Sequence, residues 1–289
     1  MLRCGGLVLM LAVAATAPPA PAITVTARSV RPGEVLLVTI TGDPADAPIH
    51  VRAFAREWPV YAVDRGRWQA LVGIDLDTHA GPATLVVTTA SARVDHPLLV
   101  QPHAFPTRRL EVNPALVNPP AEALERIARE TAALNEIWRA SSPERQWRGA
   151  FVRPVPDPAN SAFGTRSIYN GESRSPHSGA DFLSPAGRPV KAPAAGRVVL
   201  ADALYFTGNT VVLDHGMGLF SLLAHLSEIE VHAGDTVAAG DVVGKVGATG
   251  RVTGPHLHWT VRLGGARVDP LSLLFATDSV TRGPEHERQ

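Results

Sequence analysis

The residues of this 289-residue chain that could do chemistry concentrate between Gly164 and Pro270, where His177, Asp181, His225, His256 and His258 follow one another. In an extended chain, side chains an even number of residues apart lie on one face. His256 and His258 therefore point the same way, and Leu257 and Trp259 turn to the other side, into a core. His177 and Asp181 are also evenly spaced. A helix would align them too, but Pro176, Gly179, Pro185 and Gly187 argue against one. Two imidazoles and a carboxylate converging with one position open form the donor set of catalytic zinc. The cluster reads as a zinc hydrolase site.

Elements that could position such a cluster must be short. With 25 Gly and 25 Pro the chain favours brief strands and many turns, and its 45% apolar content suffices to bury a core in each of two small domains. Lys plus Arg equals Asp plus Glu at 27 each, so no net field draws the protein to nucleic acid or to an anionic membrane. Residues 1–22 have the pattern of a secretory signal peptide: Arg3, an apolar run over 5–17, then Ala20-Pro21-Ala22 as cleavage site. The run is too short to span a bilayer, so no stable membrane anchor is expected after cleavage. Cys4, the single cysteine, precedes the apolar run, which argues against a lipoprotein anchor. Its removal leaves no disulfide and no thiolate metal site. The expected location is the periplasm or outside the cell.

Residues 23–101 carry β-rich runs at 23–26, 34–40, 49–54, 60–62, 68–74 and 83–89, separated by Gly, Pro or Asp. That spacing predicts an immunoglobulin-like β-sandwich. His50, His79, His96 and His103 stand at no ligand spacing and read as surface or turn residues. The domain carries no chemistry and suits a spacer, a wall-binding module or the seat of a regulatory partner. Within the linker at 102–148, Asn118-Pro119-Pro120 opens an amphipathic helix with Leu124, Ile127, Thr131, Leu134 and Trp138 on its stripe, and Ser141-Ser142-Pro143 closes it. The helix packs on a neighbouring domain or lies across the groove as a lid.

From 149 to 276 strands are expected at 190–192, 196–201, 209–214, 219–224, 241–246 and 256–263, in an all-β, antiparallel, barrel-sandwich-hybrid-like architecture, with a polar tail at 277–289. The 231–246 stretch has the look of a lipoyl-type half barrel, which would make Lys245 a modified swinging arm. Without a second flanking signature an ordinary strand lysine is the better reading.

Five stretches carry a resemblance: Phe163-Gly164-Thr165-Arg166, Pro176-His177-Ser178-Gly179-Ala180-Asp181, Asp214-His215-Gly216, Ala224-His225-Leu226-Ser227, and the segment from Thr249 through Gly254-Pro255-His256-Leu257-His258-Trp259. In this order they resemble the lysostaphin/LytM-type zinc endopeptidases, which cut peptides of bacterial cell walls. The resemblance implies one Zn2+ per chain, held by His177, Asp181 and His258. It places His225 and His256 beside a zinc-activated water, one as base and the other on the developing oxyanion, in an order left open. The chain has no His-Glu-x-x-His, so histidine must take the place of a glutamate base. The implied function is a metallo-endopeptidase hydrolysing peptide cross-links or stem peptides of peptidoglycan, the bond unspecified. The alternative is a non-enzymatic relative that binds wall or activates another hydrolase. Such relatives usually lose metal ligands, whereas all five positions are present here.

Several residues carry weaker expectations. Tyr169 stands near where some relatives place an oxyanion-steadying tyrosine, or is structural. Arg166, Arg174 and Asn209 either line the groove or are surface residues. Asn170-Gly171 reads as a turn, His215 as structural, and His232 and His286 as exposed.

Overall fold

The computed structural model describes residues 20–111, 119–159 and 163–282. Most of the signal-peptide segment, together with Asn118 and His286, lies outside the described residues. Short β-prone runs build β1 (Ala22–Thr26), β2 (Val35–Thr41), β3 (His50–Ala53), β4 (Arg56–Trp58), β5 (Val60–Asp64), β6 (Arg67–Gly73), β7 (Gly81–Thr88) and β8 (Arg93–Val100). They form two antiparallel four-stranded sheets, ordered β1-β2-β6-β5 and β4-β3-β7-β8. Leu36, Ile40, Trp58 and Leu85 are fully buried in the core that both sheets share.

The linker adds β9 (Thr107–Leu110), which pairs in parallel with β10 (Arg166–Tyr169); β10 in turn forms a hairpin with β11 (Glu172–Ser173). The amphipathic helix is α1 (Ala121–Arg139), with Pro120 at its N-cap and no side-chain cap. Its inward stripe runs Ala123, Ile127, Glu130, Leu134, Ile137 and Trp138. Leu124 and Thr131, expected on that stripe, are exposed. Glu130 takes the inward position because its Oε2 accepts the Tyr205 backbone N–H at 2.8 Å. Beyond the helix, Ser141 Oγ and the Ser142 N–H donate to the Asp214 carboxylate at 2.8 and 2.7 Å, tying the chain to the sheet below.

The C-terminal part is one antiparallel nine-stranded sheet: β12 (Gly179–Phe182), β13 (Pro189–Lys191), β14 (Gly196–Leu204), β15 (Gly208–Asp214), β16 (Leu219–Ile229), β17 (Thr236–Val237), β18 (Val242–Val246), β19 (Leu257–Leu263) and β20 (Ala266–Val268). Its main path is β12-β19-β16-β15-β14-β17, with β18 bridging β16 to β13 and β20 flanking β19. One face carries Leu219, Leu223, Trp259 and Val261 into the main core. On the other, Phe220, Leu222 and Ala224 meet Leu134, Ile137 and Trp138 of α1.

A second helix, α2 (Pro270–Arg282), follows. Leu273, Ala276 and Thr277 are buried, and Thr277 Oγ1 accepts the Phe151 N–H at 3.0 Å, so the helix runs past residue 276, where a polar tail was expected to begin. The two sheet systems share a single core rather than meeting through a linker. Arg28 reaches Glu34 at 3.0 Å and Asp269 at 2.6 Å, Ser272 Oγ donates to Glu34 at 2.7 Å, and Arg267 bonds Asp75 at 2.6 Å.

Candidate metal centre

The central strands set the site by register. In the β12–β19 pair Asp181 lies opposite His258, and in the β19–β16 pair His258 lies opposite Ala224. Asp181 Oδ1 is 2.8 Å from His258 Nδ1 and 3.1 Å from His177 Nε2, and the two ring nitrogens are 3.0 Å apart. His177 itself precedes β12; its backbone N–H donates to Thr165 O at 3.0 Å, and its carbonyl accepts the Gly164 N–H at 2.7 Å. These are the three residues whose donor atoms gather closely enough to hold a metal among the described residues.

His225 reaches the cluster by breaking the strand's alternation. Its neighbour Leu223 faces Trp259 in the main core, and strict alternation would send His225 the same way. Instead three steps of β16, from Leu223 to Leu226, oppose two steps of β15, from Val211 to Asn209, and His225 takes φ +64°, a conformation uncommon for a residue with a side chain. The ring then lies 4.9 Å from that of His256 and 5.8 Å from that of His258. Strained backbone of this kind costs about 1–3 kcal/mol and persists where its surroundings over-determine it. Here the His225 N–H donates to Thr207 O at 2.9 Å, and Nδ1 lies 3.0 Å from Thr249 O.

A carbonyl oxygen can only accept, so the Thr249 contact puts the proton on His225 Nδ1 and leaves Nε2 with its lone pair. The same reasoning applies to His256, whose Nδ1 donates to Gly254 O at 2.9 Å. His256 Nε2 lies 3.8 Å from Asp181 Oδ1, outside hydrogen-bond range. Burial, aided by the charge of His258, pushes His225 down to about 4. Burial lowers His258 as well, against the opposing bond from Asp181. For Asp181 burial disfavours the charge, but bonds from His177 and His258 outweigh it and hold the carboxyl below its ordinary range. At neutral pH the site therefore presents a carboxylate beside the neutral imidazoles of His225 and His258, protonation states compatible with a divalent metal.

The donor set fits a metal. Its separations of 2.8–3.1 Å are close to the edges, about 3.3 Å, of a tetrahedron with zinc-like bonds of about 2.0–2.1 Å. Two nitrogens and one oxygen leave one position open, the arrangement of a catalytic rather than a structural site.

The other expected residues fall elsewhere. The Tyr169 hydroxyl is 3.5 Å from Arg108 Nη2. Arg174 bonds Glu172 at 2.7 Å, and Asn209 Nδ2 reaches Ser227 O at 3.3 Å. His215 is fully buried between Ala195 O and Ser221 Oγ, both at 2.9 Å. Lys245 spends its ammonium on Glu228 and Glu230 at 2.6 and 3.4 Å, as an ordinary strand lysine does. Residues that reasoning from the sequence missed act through hydroxyls and carbonyls: Thr207, Thr249, Gly254 and Thr260.

Comparison with known proteins agrees with this geometry. The profile of Peptidase family M23 matches residues 175–270, which bracket the whole cluster. DD-carboxypeptidase/endopeptidase Mpg of Neisseria meningitidis is 41% identical over 106 residues, covering 37% of this chain and 24% of that protein. Peptidoglycan DD-endopeptidase ShyA of Vibrio cholerae is 39% identical over 113 residues, or 39% and 26% of the two chains. The chain thus spans only about a quarter of the length of these curated relatives. The crystal structure of a peptidase M23 from Pseudomonas aeruginosa matches far more broadly, with a TM-score of 0.67 and 37% identity over 87% of this chain and 96% of that one. With the site in place and a relative aligned over nearly its full length, the chain belongs to peptidase family M23.

Proposed function

We propose that the protein is a zinc metallo-endopeptidase that hydrolyses peptide bonds of bacterial peptidoglycan. The observation that carries this reading is the convergence of His177 Nε2, Asp181 Oδ1 and His258 Nδ1, with His225 and His256 alongside. The substrate class rests on the names of two relatives, the Vibrio peptidoglycan DD-endopeptidase and the Neisseria DD-carboxypeptidase/endopeptidase.

His177, Asp181 and His258 would hold the zinc, which when bound would supply a Lewis acid and lower the pKa of a coordinated water towards about 7. His225 and His256 each keep a bare Nε2 because Nδ1 is committed to a backbone carbonyl. A neutral Nε2 accepts a proton and returns it to the leaving amine; a protonated one donates to the carbonyl oxygen as negative charge develops there. Burial keeps His225 neutral at physiological pH and so suits it to accept. The intact set of five speaks against a binding-only relative.

A wall substrate places the enzyme outside the cytoplasm, and the apolar run at 5–17 followed by Ala20-Pro21-Ala22 supports export with a mature N-terminus at Ile23. No helix among the described residues is long and apolar enough to cross a membrane. Mass spectrometry of fragments released from purified sacculi tests the substrate class. Cleaved peptide cross-links or stems are the expected products; glycan fragments with intact peptides would contradict the proposal.

A further inference from the structure

We propose that Thr260 is a positioning residue for the metal ligand His258, and that the side-chain-free position of Gly179 opposite it gives the His258 ring its seat. The inference rests on the metal reading above and concerns how the chain selects which nitrogen of His258 faces the ion.

Imidazole carries one proton in its neutral form, and only the other nitrogen can bind a metal. His258 Nδ1 is the nitrogen gathered with Asp181 and His177, so the proton must reside on Nε2 when a metal is held. Nε2 lies 2.9 Å from Thr260 Oγ1. Two residues apart on β19, the two side chains share one face, which brings the hydroxyl under the far edge of the ring. Thr260 is 6% exposed, so water cannot readily replace its oxygen as acceptor. Ligating histidines generally need such a partner on the other nitrogen, and its loss weakens metal affinity by about 10–100-fold.

Register supplies a second, independent observation. Gly179 of β12 lies directly opposite Thr260. A Cβ there would stand 2.7 Å from His258 Cε1, 2.9 Å from its Nε2 and 2.5 Å from Trp259 O. Gly179 has no positive φ among the strained positions, so space rather than backbone conformation demands glycine. The ring edge that carries Nε2 thus occupies the volume a side chain at 179 would fill, with Thr260 Oγ1 as its hydroxyl partner.

Thr260→Val keeps the β-branched shape and removes the acceptor, whereas Thr260→Ser keeps the acceptor. The test measures zinc dissociation constants by competition with a chromophoric chelator on the full chain, with thermal unfolding alongside. Thr260→Val should bind zinc about 10–100-fold more weakly with its fold retained, and Thr260→Ser should match wild type within about threefold. Equal affinity in wild type and Thr260→Val overturns the inference while leaving the metal reading intact, as does a Thr260→Ser protein as weak as Thr260→Val. A wild-type protein that binds no zinc overturns both.

Discussion

His256 and His258 stand two residues apart and share a face, yet only His258 comes within hydrogen-bond distance of Asp181, at 2.8 Å against 3.8 Å. That difference supports the proposed division of the pair into a ligand and a neighbour. His256→Ala should lower the catalytic rate by about a hundredfold or more, the scale of an acid–base or oxyanion group, while zinc content stays near stoichiometric. Zinc lost from His256→Ala and kept by His258→Ala would reverse the two roles. The convergence of the five chemical residues was legible in the sequence because their side-chain types are rare and specific in use. Thr249, Gly254 and Thr260 were not, since a carbonyl or a threonine hydroxyl leaves no signature until the chain is folded. His215 illustrates a third case, a histidine inside a recognisable motif whose work is structural. Burial pushes it down to about 4, so between pH 6.5 and 4 the unfolded chain binds the extra proton. Its contribution is whole above about pH 6.5 and lost progressively as pH falls towards 4, at most roughly 3 kcal/mol. Urea unfolding of wild type and His215→Gln at pH 7 and pH 4.5 should show the wild type losing more stability on acidification; parallel losses would contradict this.

At the scale of elements, the strands recovered from the sequence are those whose apolar runs are almost wholly buried. β2, β6, β15 and β19 all lie within a residue or so of their expected spans. Strand β8 was missed because its half-exposed sequence, Arg-Val-Asp-His-Pro-Leu-Leu-Val, reads as a loop, and β4, β11, β17 and β20 are too brief to show a period. The turn of His225 towards the site was equally hidden. It depends on two loops, at 205–208 and 247–252, that meet at Gly208. Gly208 has φ +61°, and a Cβ there would collide with the Thr249 backbone and hydroxyl. Gly208→Ala should therefore displace Thr249 and the His225 it holds, cutting turnover by about tenfold to a hundredfold while zinc remains bound. Parallel measurement of zinc content and sacculus hydrolysis checks this, and unchanged turnover would show that the loop contact does not position His225.

Across the whole molecule, the sequence pointed to two modules joined by a linker, whereas the structure fuses them. Contacts between residues some two hundred positions apart cannot be read from local periodicity, and Arg28, Glu34, Asp269 and Ser272 are of that kind. Glu34 is 2% exposed, so removing its main cation leaves a buried charge partly uncompensated, with Arg31 at 3.2 Å and the Ser272 hydroxyl at 2.7 Å remaining. Arg28→Ala should cost about 2–3 kcal/mol in urea unfolding, somewhat below the usual range for a broken buried pair because Arg31 stays. A single cooperative transition should persist, since Trp58, Leu263 and Val268 share one core. Two separate transitions would contradict the fused architecture.

One metal, held by His177, Asp181 and His258, is proposed to serve peptide hydrolysis assisted by His225. The most direct test of this role measures zinc by elemental analysis and sacculus digestion on wild type, Asp181→Ala and His225→Ala. The expected result is one zinc per chain and active wild type, a metal-depleted and inactive Asp181→Ala, and a His225→Ala protein that keeps its zinc but loses turnover. Stoichiometric zinc in Asp181→Ala would remove Asp181 from the ligand set, and full activity in His225→Ala would contradict the account of catalysis.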